Sequence, residues 1–152
     1  MGGHEQLSAH WFFIEKSAQE LSFFGKFYYL CNVKLDIMKE KFRVAYTDEA
    51  LNFLSSLPQK AKDKIAYNIS KSMVISDQEL FKKLEGTNIW EFRTLFNGIK
   101  YRLLAFWDTD ADTLVIATHG FIKKSQKTPR KEIEKAESIR TEYFNDKKQG
   151  KL

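Results

Sequence analysis

Two arginines stand at matching depths on either side of a short turn. In the stretch WEFRTLFNGIKYRLLAF, Arg93 precedes Asn97-Gly98 by four residues and Arg102 follows it by four. Asn-Gly is a strong hairpin signal because both residues tolerate a positive φ. With these two as the central turn residues, Arg93 faces Arg102 across an antiparallel pair of strands. Like charges so placed destabilise a sheet by up to about 1 kcal/mol, and an anionic ligand would reverse that sign.

Alternation along the two strands sorts the neighbouring side chains into two faces. The arginine face also carries Glu91 and Lys100, with Leu104 and Phe106 further along. The opposite face is mostly apolar and suited to cover helices: Trp90, Phe92, Tyr101, Leu103 and Ala105. The arginine face predicts phosphate binding by guanidinium groups, with aromatic side chains nearby to stack on bases. The alternative is that Glu91 bridges the two arginines and the face is merely solvated.

A basic loop follows the next apolar strand. The segment HGFIKKSQKTPRK contains no acidic residue and five basic ones: Lys123, Lys124, Lys127, Arg130 and Lys131. Because it leaves the strand next in sequence to the hairpin, we expect it to border the arginine face. A solvated basic loop is the alternative interpretation.

The pattern around these residues predicts an α+β fold with the order βααβββα. Thr47 caps a first helix, Pro58 begins a second that packs antiparallel to it, and the small, mostly antiparallel sheet packs on this helical hairpin. Residues 77–86 are expected to connect the second helix to the next strand, and the segment DTDADT is expected to form a solvated loop. The expected strands are 42–47, 89–95, 99–107 and 113–119, and the last helix, 128–144, has a Thr cap and Pro at its first position.

Composition indicates one domain with a substantial core. The chain has 152 residues, is 43% hydrophobic and carries a formal charge of +5, which favours anionic partners. Cys31 stands alone, which excludes an internal disulfide or multi-cysteine zinc site and suggests a reducing cytoplasm. The most apolar stretch, LSFFGKFYYLCNV, is interrupted by Lys26 and too short to span a bilayer. No metal or cofactor is expected.

Residues 1–37 differ in character from the rest. They hold eight of the 22 aromatic residues but show neither strand alternation nor a helical stripe. One hypothesis treats them as an extension outside the fold, with Met38 as the true or an alternative start. The other is an added helix or strand that packs on a domain of residues 38–148. Residues 149–152 are expected to fray, with the preceding NDKK.

Three segments together resemble the RelE/HigB group of bacterial type II toxins, in its phage-derived branch. They are FKKLEG, IWEFRTLFNGIKYRLLAF and HGFIKKSQKTPRKEIEKA. The resemblance covers about residues 38–148 and implies a RelE-like fold. It also implies an mRNA endonuclease that cuts messages in the ribosomal A site and is silenced by a helix-turn-helix, HigA-like antitoxin.

Carried onto this sequence, the resemblance implies catalytic roles for Arg93, Arg102, Lys124, Lys127 and His119. RNA contacts are expected from Glu91, Lys100, Lys123 and Arg130. Some relatives use a late tyrosine, but the helical spacing of Tyr143 indicates a core position.

Metal-independent RNA cleavage uses the 2′-OH as nucleophile and needs a base, an acid and positive charge on the phosphorane. The arginines suit the last task, because guanidinium is too weak an acid to exchange protons at pH 7. Lys124 or Lys127, crowded by other cations, could exchange protons through a lowered pKa. His119 could also serve, although a structural bond to a carbonyl is the alternative, and for Glu91 an ion pair is the alternative to a base.

Two other functions remain open. A toxin of related fold could inhibit DNA gyrase, as ParE-like proteins do, without cutting RNA. The chain could also be a non-catalytic nucleic-acid-binding module.

Overall fold

A computed structural model describes residues 39–110 and 114–152, together with the backbone of Ile14–Lys16. Apart from those three residues, the proposed extension at 1–37 and the boundary at Met38 lie outside the described residues. The elements in chain order are β1 (Ile14–Lys16), β2 (Arg43–Tyr46), α1 (Asp48–Ser56), α2 (Gln59–Val74), β3 (Phe81–Lys83), β4 (Trp90–Phe96), β5 (Ile99–Trp107), β6 (Leu114–Ile122) and α3 (Arg130–Lys148).

The strands form one mixed sheet in the order β1-β2-β6-β5-β4-β3. Every neighbouring pair is antiparallel except β2 and β6, which are parallel. The predicted α+β class and βααβββα order are therefore confirmed, with two short strands added. Strand β1 pairs with β2 in antiparallel orientation. The expectation of a connector at 77–86 was wrong in part, because β3 pairs with Trp90–Phe92.

The helices begin where short-range chemistry favours them. The side chain of Thr47 accepts a hydrogen bond from the Ala50 backbone N–H at 3.2 Å, and Asp48 and Glu49 complement the dipole in the first turn of α1. Pro58 occupies the cap position before α2, and no side chain caps this helix. At α3, too, Pro129 occupies the cap position and no side chain caps the helix, so the predicted Thr128 cap is wrong.

Two hydrophobic cores lie on opposite sides of the sheet. Helices α1 and α2 cover one face, where Ala50, Ile65 and Met73 meet Phe92 and Leu103. Helix α3 covers part of the other face, where its residues Ala136 and Tyr143 pack near Leu104, Phe106 and Ile116. The sheet thus packs on the predicted helical hairpin, and α3 leaves the β4–β5 hairpin end of its own face uncovered.

The hairpin has the predicted register. Asn97 and Gly98 have φ values of 50° and 75°, as a two-residue turn requires. Phe96 pairs with Ile99, and Arg93 pairs with Arg102. The two arginines therefore share a sheet face.

A bulge interrupts the next pair of strands. His119 pairs with Leu104 and Ala117 with Ala105, so Thr118 is the extra residue. Its hydroxyl donates to the Leu104 carbonyl at 3.1 Å, and Thr47 donates to the Thr118 carbonyl at 2.5 Å. After the bulge, a Cβ added at Gly120 would fall inside the ring of Phe53. The glycine therefore allows α1 to approach the sheet.

Several boundaries differ from the expected ones. Strand β6 continues to Ile122, three residues beyond the predicted end at His119. Helix α3 continues to Lys148 and includes the segment NDKK that was expected to fray, because Lys147 is ion-paired with Asp108. Within the described part of the chain, no helix combines the length and apolar character needed to cross a bilayer.

Candidate functional site

Glu91 lies between the two arginines and contacts both through one oxygen. Its Oε1 is 3.1 Å from Nε of Arg102 and 3.6 Å from Nε of Arg93. The alternative in which Glu91 bridges the arginines is therefore the observed arrangement. Glu79 lies 3.5 Å from Arg93 as a second carboxylate, and Lys100 and Lys123 add two further cations, so this cluster keeps a net positive charge.

The two arginines differ in how tightly they are held. Arg102 is 6% exposed, and its Nη1 donates to the Tyr101 carbonyl at 2.9 Å. Burial lowers the pKa of Arg102, with the charge of Glu91 opposing the shift and that of Arg93 adding to it. Arg93 has a side chain 26% exposed, and its Nη1 reaches Glu79 and the Gln78 carbonyl only at 3.5 and 3.4 Å. Its Nε is buried without a hydrogen-bond partner. Arg93 is thus the arginine better placed to bind an anion.

The basic loop is linked to the arginine cluster by Thr128. The Thr128 hydroxyl donates to Oε2 of Glu91 at 2.5 Å, so the two oxygens of one carboxylate serve the loop and the arginines. Glu91 was expected to contact RNA, but it is only 3% exposed. Its contacts instead hold Arg102 and the loop in place, in agreement with the ion-pair alternative.

Lys123 joins the same cluster from the end of β6. Its backbone N–H donates to the Lys100 carbonyl at 2.8 Å. Burial lowers the pKa of Lys123; the charge of Glu91 opposes this shift, while Arg102, Arg93 and Lys100 reinforce it. A lysine crowded by cations was expected at position 124 or 127. The structure finds this situation at position 123.

The cluster opens into a cleft of about 400 Å³ between the hairpin and helix α2. We call it the basic cleft. Five basic side chains and one acidic side chain line it, with polar and apolar neighbours: Lys64, Lys71, Arg93, Lys100, Arg102 and Glu79, then Tyr67, Asn68, Leu80, Thr94 and Leu95. The α2 members were missed from sequence, although Lys64, Tyr67 and Lys71 have the spacing of one helical stripe.

Four predicted basic residues do not line the basic cleft: Lys123, described above, and Lys124, Lys127 and Arg130. Lys124 and Lys127 are exposed in the loop after β6, where Ser125 donates to the Lys127 carbonyl at 2.6 Å. Arg130 is exposed in the first turn of α3, where its Nε contacts Glu134 at 2.7 Å. The loop therefore approaches the cluster through Lys123 and Thr128.

His119 is buried beneath α3. Its Nε2 lies 3.0 Å from Glu132 Oε2 and its Nδ1 lies 3.1 Å from the Thr118 hydroxyl. Burial lowers the pKa of His119, against the opposing effect of Glu132. Both ring nitrogens are engaged and the ring is enclosed, which argues against the expected role in proton transfer to a substrate.

A second ionic cluster lies on the same sheet face, under the end of α3. Asp108 accepts hydrogen bonds from the Tyr143 hydroxyl at 2.7 Å and from Lys147 Nζ at 2.6 and 2.8 Å. Burial raises the pKa of Asp108, but the bonds from Lys147, Tyr143 and the Asp110 backbone outweigh it and lower the pKa. The prediction of a solvated loop was wrong for Asp108, which is 2% exposed, whereas the core position of Tyr143 is confirmed.

The family of this chain is identified by comparison with protein-family profiles. The profile of the phage-derived Gp49-like family (DUF891) matches residues 52–141, more than half of the chain. The chain belongs to the Gp49-like family. The matched segment includes Arg93, Arg102, Lys123 and Thr128, together with the α2 side of the basic cleft. Gp49-like proteins are toxin-like and phage-derived. No curated protein matches the chain significantly.

Proposed function

We propose that this Gp49-like protein is the toxin of a type II toxin–antitoxin system and a ribosome-dependent mRNA endonuclease. The observation that carries the proposal is the convergence of Arg93, Arg102 and Lys100 on one cleft, beside the buried carboxylate of Glu91 and near the charge of Lys123. Excess positive charge at a concave, partly desolvated site favours an anionic ligand. The toxin-like family supports the biological class.

The proposed reaction is attack of a ribose 2′-OH on the adjacent phosphate. The 2′-oxygen bonds to phosphorus as the bond to the 5′-oxygen breaks, leaving a 2′,3′-cyclic phosphate and a 5′-hydroxyl. Charge accumulates on the phosphorane oxygens during this step. Arg93, whose side chain is partly exposed and loosely held, would contact those oxygens, and Arg102 would supply a fixed charge behind it.

The proton transfers need groups that exchange protons near neutral pH. Lys123 fits best among the basic residues of the cluster, since burial and three neighbouring cations lower its pKa. Lys124 and Lys127, on the adjoining loop, would bind flanking phosphates, and Arg130 lies further along at the start of α3. Glu91 acts as a positioning residue, because its contacts with Arg102 and Thr128 fix the cluster.

The proposed partners are mRNA on the ribosome and a cognate antitoxin of the helix-turn-helix, HigA-like type. An antitoxin that silences the enzyme would cover the basic cleft or hold it away from the ribosome. Co-expression of a small helix-turn-helix protein encoded next to this chain should restore growth to cells that express the full chain, and failure of every adjacent gene to do so would contradict this partner.

Inducible expression of the full chain, with mapping of mRNA 5′ ends, tests the proposal. We expect new 5′ ends within translated codons. Arg93→Ala should reduce their yield about 100-fold or more, as removal of one transition-state charge contact commonly does. Lys83→Ala is the matched control, because Lys83 is an exposed basic residue outside the basic cleft. Growth arrest with intact messages and damaged DNA would contradict the nuclease and indicate a gyrase-directed toxin.

A further inference from the structure

One wall of the basic cleft comes from helix α2. Lys64, Tyr67, Asn68 and Lys71 line it at i, i+3, i+4 and i+7 spacing, so they form one stripe along the helix. Asn68 is buried, and its amide donates to the Thr94 hydroxyl on β4 at 3.1 Å. This bond fixes the stripe against the sheet edge beside Arg93.

Strand β4 has no neighbouring strand along this part of its edge, within the residues that the structure describes. Strand β3 pairs only with Trp90–Phe92, and the last contact beyond it is the bond from the Arg93 N–H to the Leu80 carbonyl at 2.8 Å. The basic cleft therefore continues from the arginine cluster, across the edge of β4, to the α2 stripe. Among residues 39–110 and 114–152, no strand lies across this path.

The chemistry of the stripe is that of a single-stranded nucleic-acid site. Lys64 and Lys71 lie one turn on either side of Tyr67, about 10 Å apart along the helix axis. The ammonium group of Lys64 lies 5.2 Å from the centre of the Tyr67 ring. Two lysines that flank an aromatic ring match two phosphates that flank an unpaired base.

We propose that the Lys64–Tyr67–Lys71 stripe is a second RNA subsite, which binds the substrate strand next to the cleaved phosphate. This inference rests on the proposed function and adds to it. Lys64 and Lys71 bind phosphates, and an unpaired base stacks on Tyr67. On binding, the Lys64 ammonium group leaves the Tyr67 ring and contacts a phosphate. The base then stacks on the Tyr67 ring in place of the ammonium group.

Binding of a fluorescent 2′-O-methyl oligonucleotide to the full-length protein tests this subsite without cleavage. The probe lacks the attacking hydroxyl, and its affinity is measured by anisotropy over a range of salt concentrations. Lys64→Ala and Lys71→Ala should each weaken binding and reduce the slope of log K against log salt by about 0.7, the value for one phosphate contact on a single strand. Lys60→Ala, an exposed lysine of α2 outside the basic cleft, should change neither.

The aromatic contact has its own pair of variants. Tyr67→Ala should weaken binding about fivefold or more, with the salt slope unchanged, because stacking is lost while phosphate contacts remain. Tyr67→Phe should bind nearly as tightly as the wild type. Equal losses in both variants would overturn the stacking assignment.

Failure of the subsite is distinguishable from failure of the proposed function. If all the α2 variants bound the oligonucleotide with wild-type affinity and the wild-type slope of log K against log salt, the subsite would be overturned. This would hold even where Arg93→Ala abolishes cleavage. Loss of binding to purified ribosomes with unchanged oligonucleotide binding would also overturn it, because a ribosomal component would then occupy the stripe. Unchanged cleavage by Arg93→Ala would instead overturn the proposed function.

Discussion

Two buried carboxylates lie on the same face of the sheet, and their partners differ. Asp108 is bound by one ammonium group, one phenol and one backbone N–H, which together satisfy its single charge. Glu91 is shared between two guanidinium groups and a threonine, with the charge of Lys123 nearby. The Asp108 cluster lies under α3, whereas the Glu91 cluster borders an open cleft.

The difference separates a structural ion pair from a candidate ligand site. The Asp108 cluster has one ammonium group, that of Lys147, for two carboxylates, and it holds the end of α3 against the end of β5. The Glu91 cluster has four cations, Arg93, Arg102, Lys100 and Lys123, for the two carboxylates Glu91 and Glu79, and its remaining positive charge favours an anionic ligand. Changes at Asp108 should therefore act on stability, and changes around Glu91 should act mainly on RNA cleavage.

The largest stability effect is expected at Asp108. Asp108→Ala removes the acceptor of the Tyr143 hydroxyl and leaves Lys147 with Asp110 as its remaining carboxylate partner. It should lower the free energy of unfolding by about 2–4 kcal/mol. Cleavage per folded molecule should stay near the wild-type value. Urea unfolding and an assay corrected for the folded fraction would measure both. A stable but inactive variant would contradict the separation of the two clusters.

Arg102→Ala should affect both stability and RNA cleavage. Relief of repulsion with Arg93 would favour the fold, but the variant removes the nearer cation from the buried Glu91. We expect a net loss of about 1–3 kcal/mol, together with loss of cleavage. Arg93→Ala should leave stability within about 0.5 kcal/mol of wild type, because the Arg93 side chain is partly exposed and its contacts are long. Equal free energies of unfolding for the two variants in urea would show that the difference in burial between Arg93 and Arg102 does not affect stability.

Acid should weaken the Asp108 cluster. Because the pKa of Asp108 is lowered in the folded state, its contribution to stability is complete above its unfolded pKa, about 4. It is lost as pH falls through the lower, folded pKa. Thermal unfolding between pH 6 and pH 3 should show a smaller decline for Asp108→Asn than for wild type. Identical declines would mean that another carboxylate dominates acid unfolding.

The smallest effect is expected at Thr128. Thr128→Val keeps the shape and removes the hydroxyl that reaches Glu91, which should cost about 1 kcal/mol of stability. Cleavage should fall a few-fold, because the loop after β6 is then less well positioned. Thr141→Val, which removes an exposed hydroxyl bonded within α3, is the control. Equal cleavage by both threonine variants would show that the loop does not depend on this bond.

The sequence predicted those parts of the fold that depend on neighbours in the chain. The Asn97-Gly98 turn and the alternation around it were enough to pair Arg93 with Arg102. Thr47 and Pro58 marked the starts of two helices for equally local reasons. Strand β3 was missed because three residues are too few to show alternation, and β6 was cut short because a bulge and a glycine interrupt its pattern.

The site was predictable only in part, because tertiary packing decides which charges meet. The spacing of Lys64, Tyr67 and Lys71 was visible, but nothing local shows that α2 runs beside the open edge of β4. Burial of His119 depends on where α3 docks. The partners of Glu91 include a threonine 37 positions away, which no pattern within a strand could reveal.

The extra residue at Thr118 has a consequence for how such a site can arise. Side chains alternate along a strand, so one inserted residue turns every later side chain to the other face. Without Thr118, Phe121 would leave the core under α3 and Lys123 would point away from Arg93 and Arg102. A single codon gained or lost at this position would therefore bring the charge of Lys123 to the arginines or take it away, without changing the identity of any residue in the cluster.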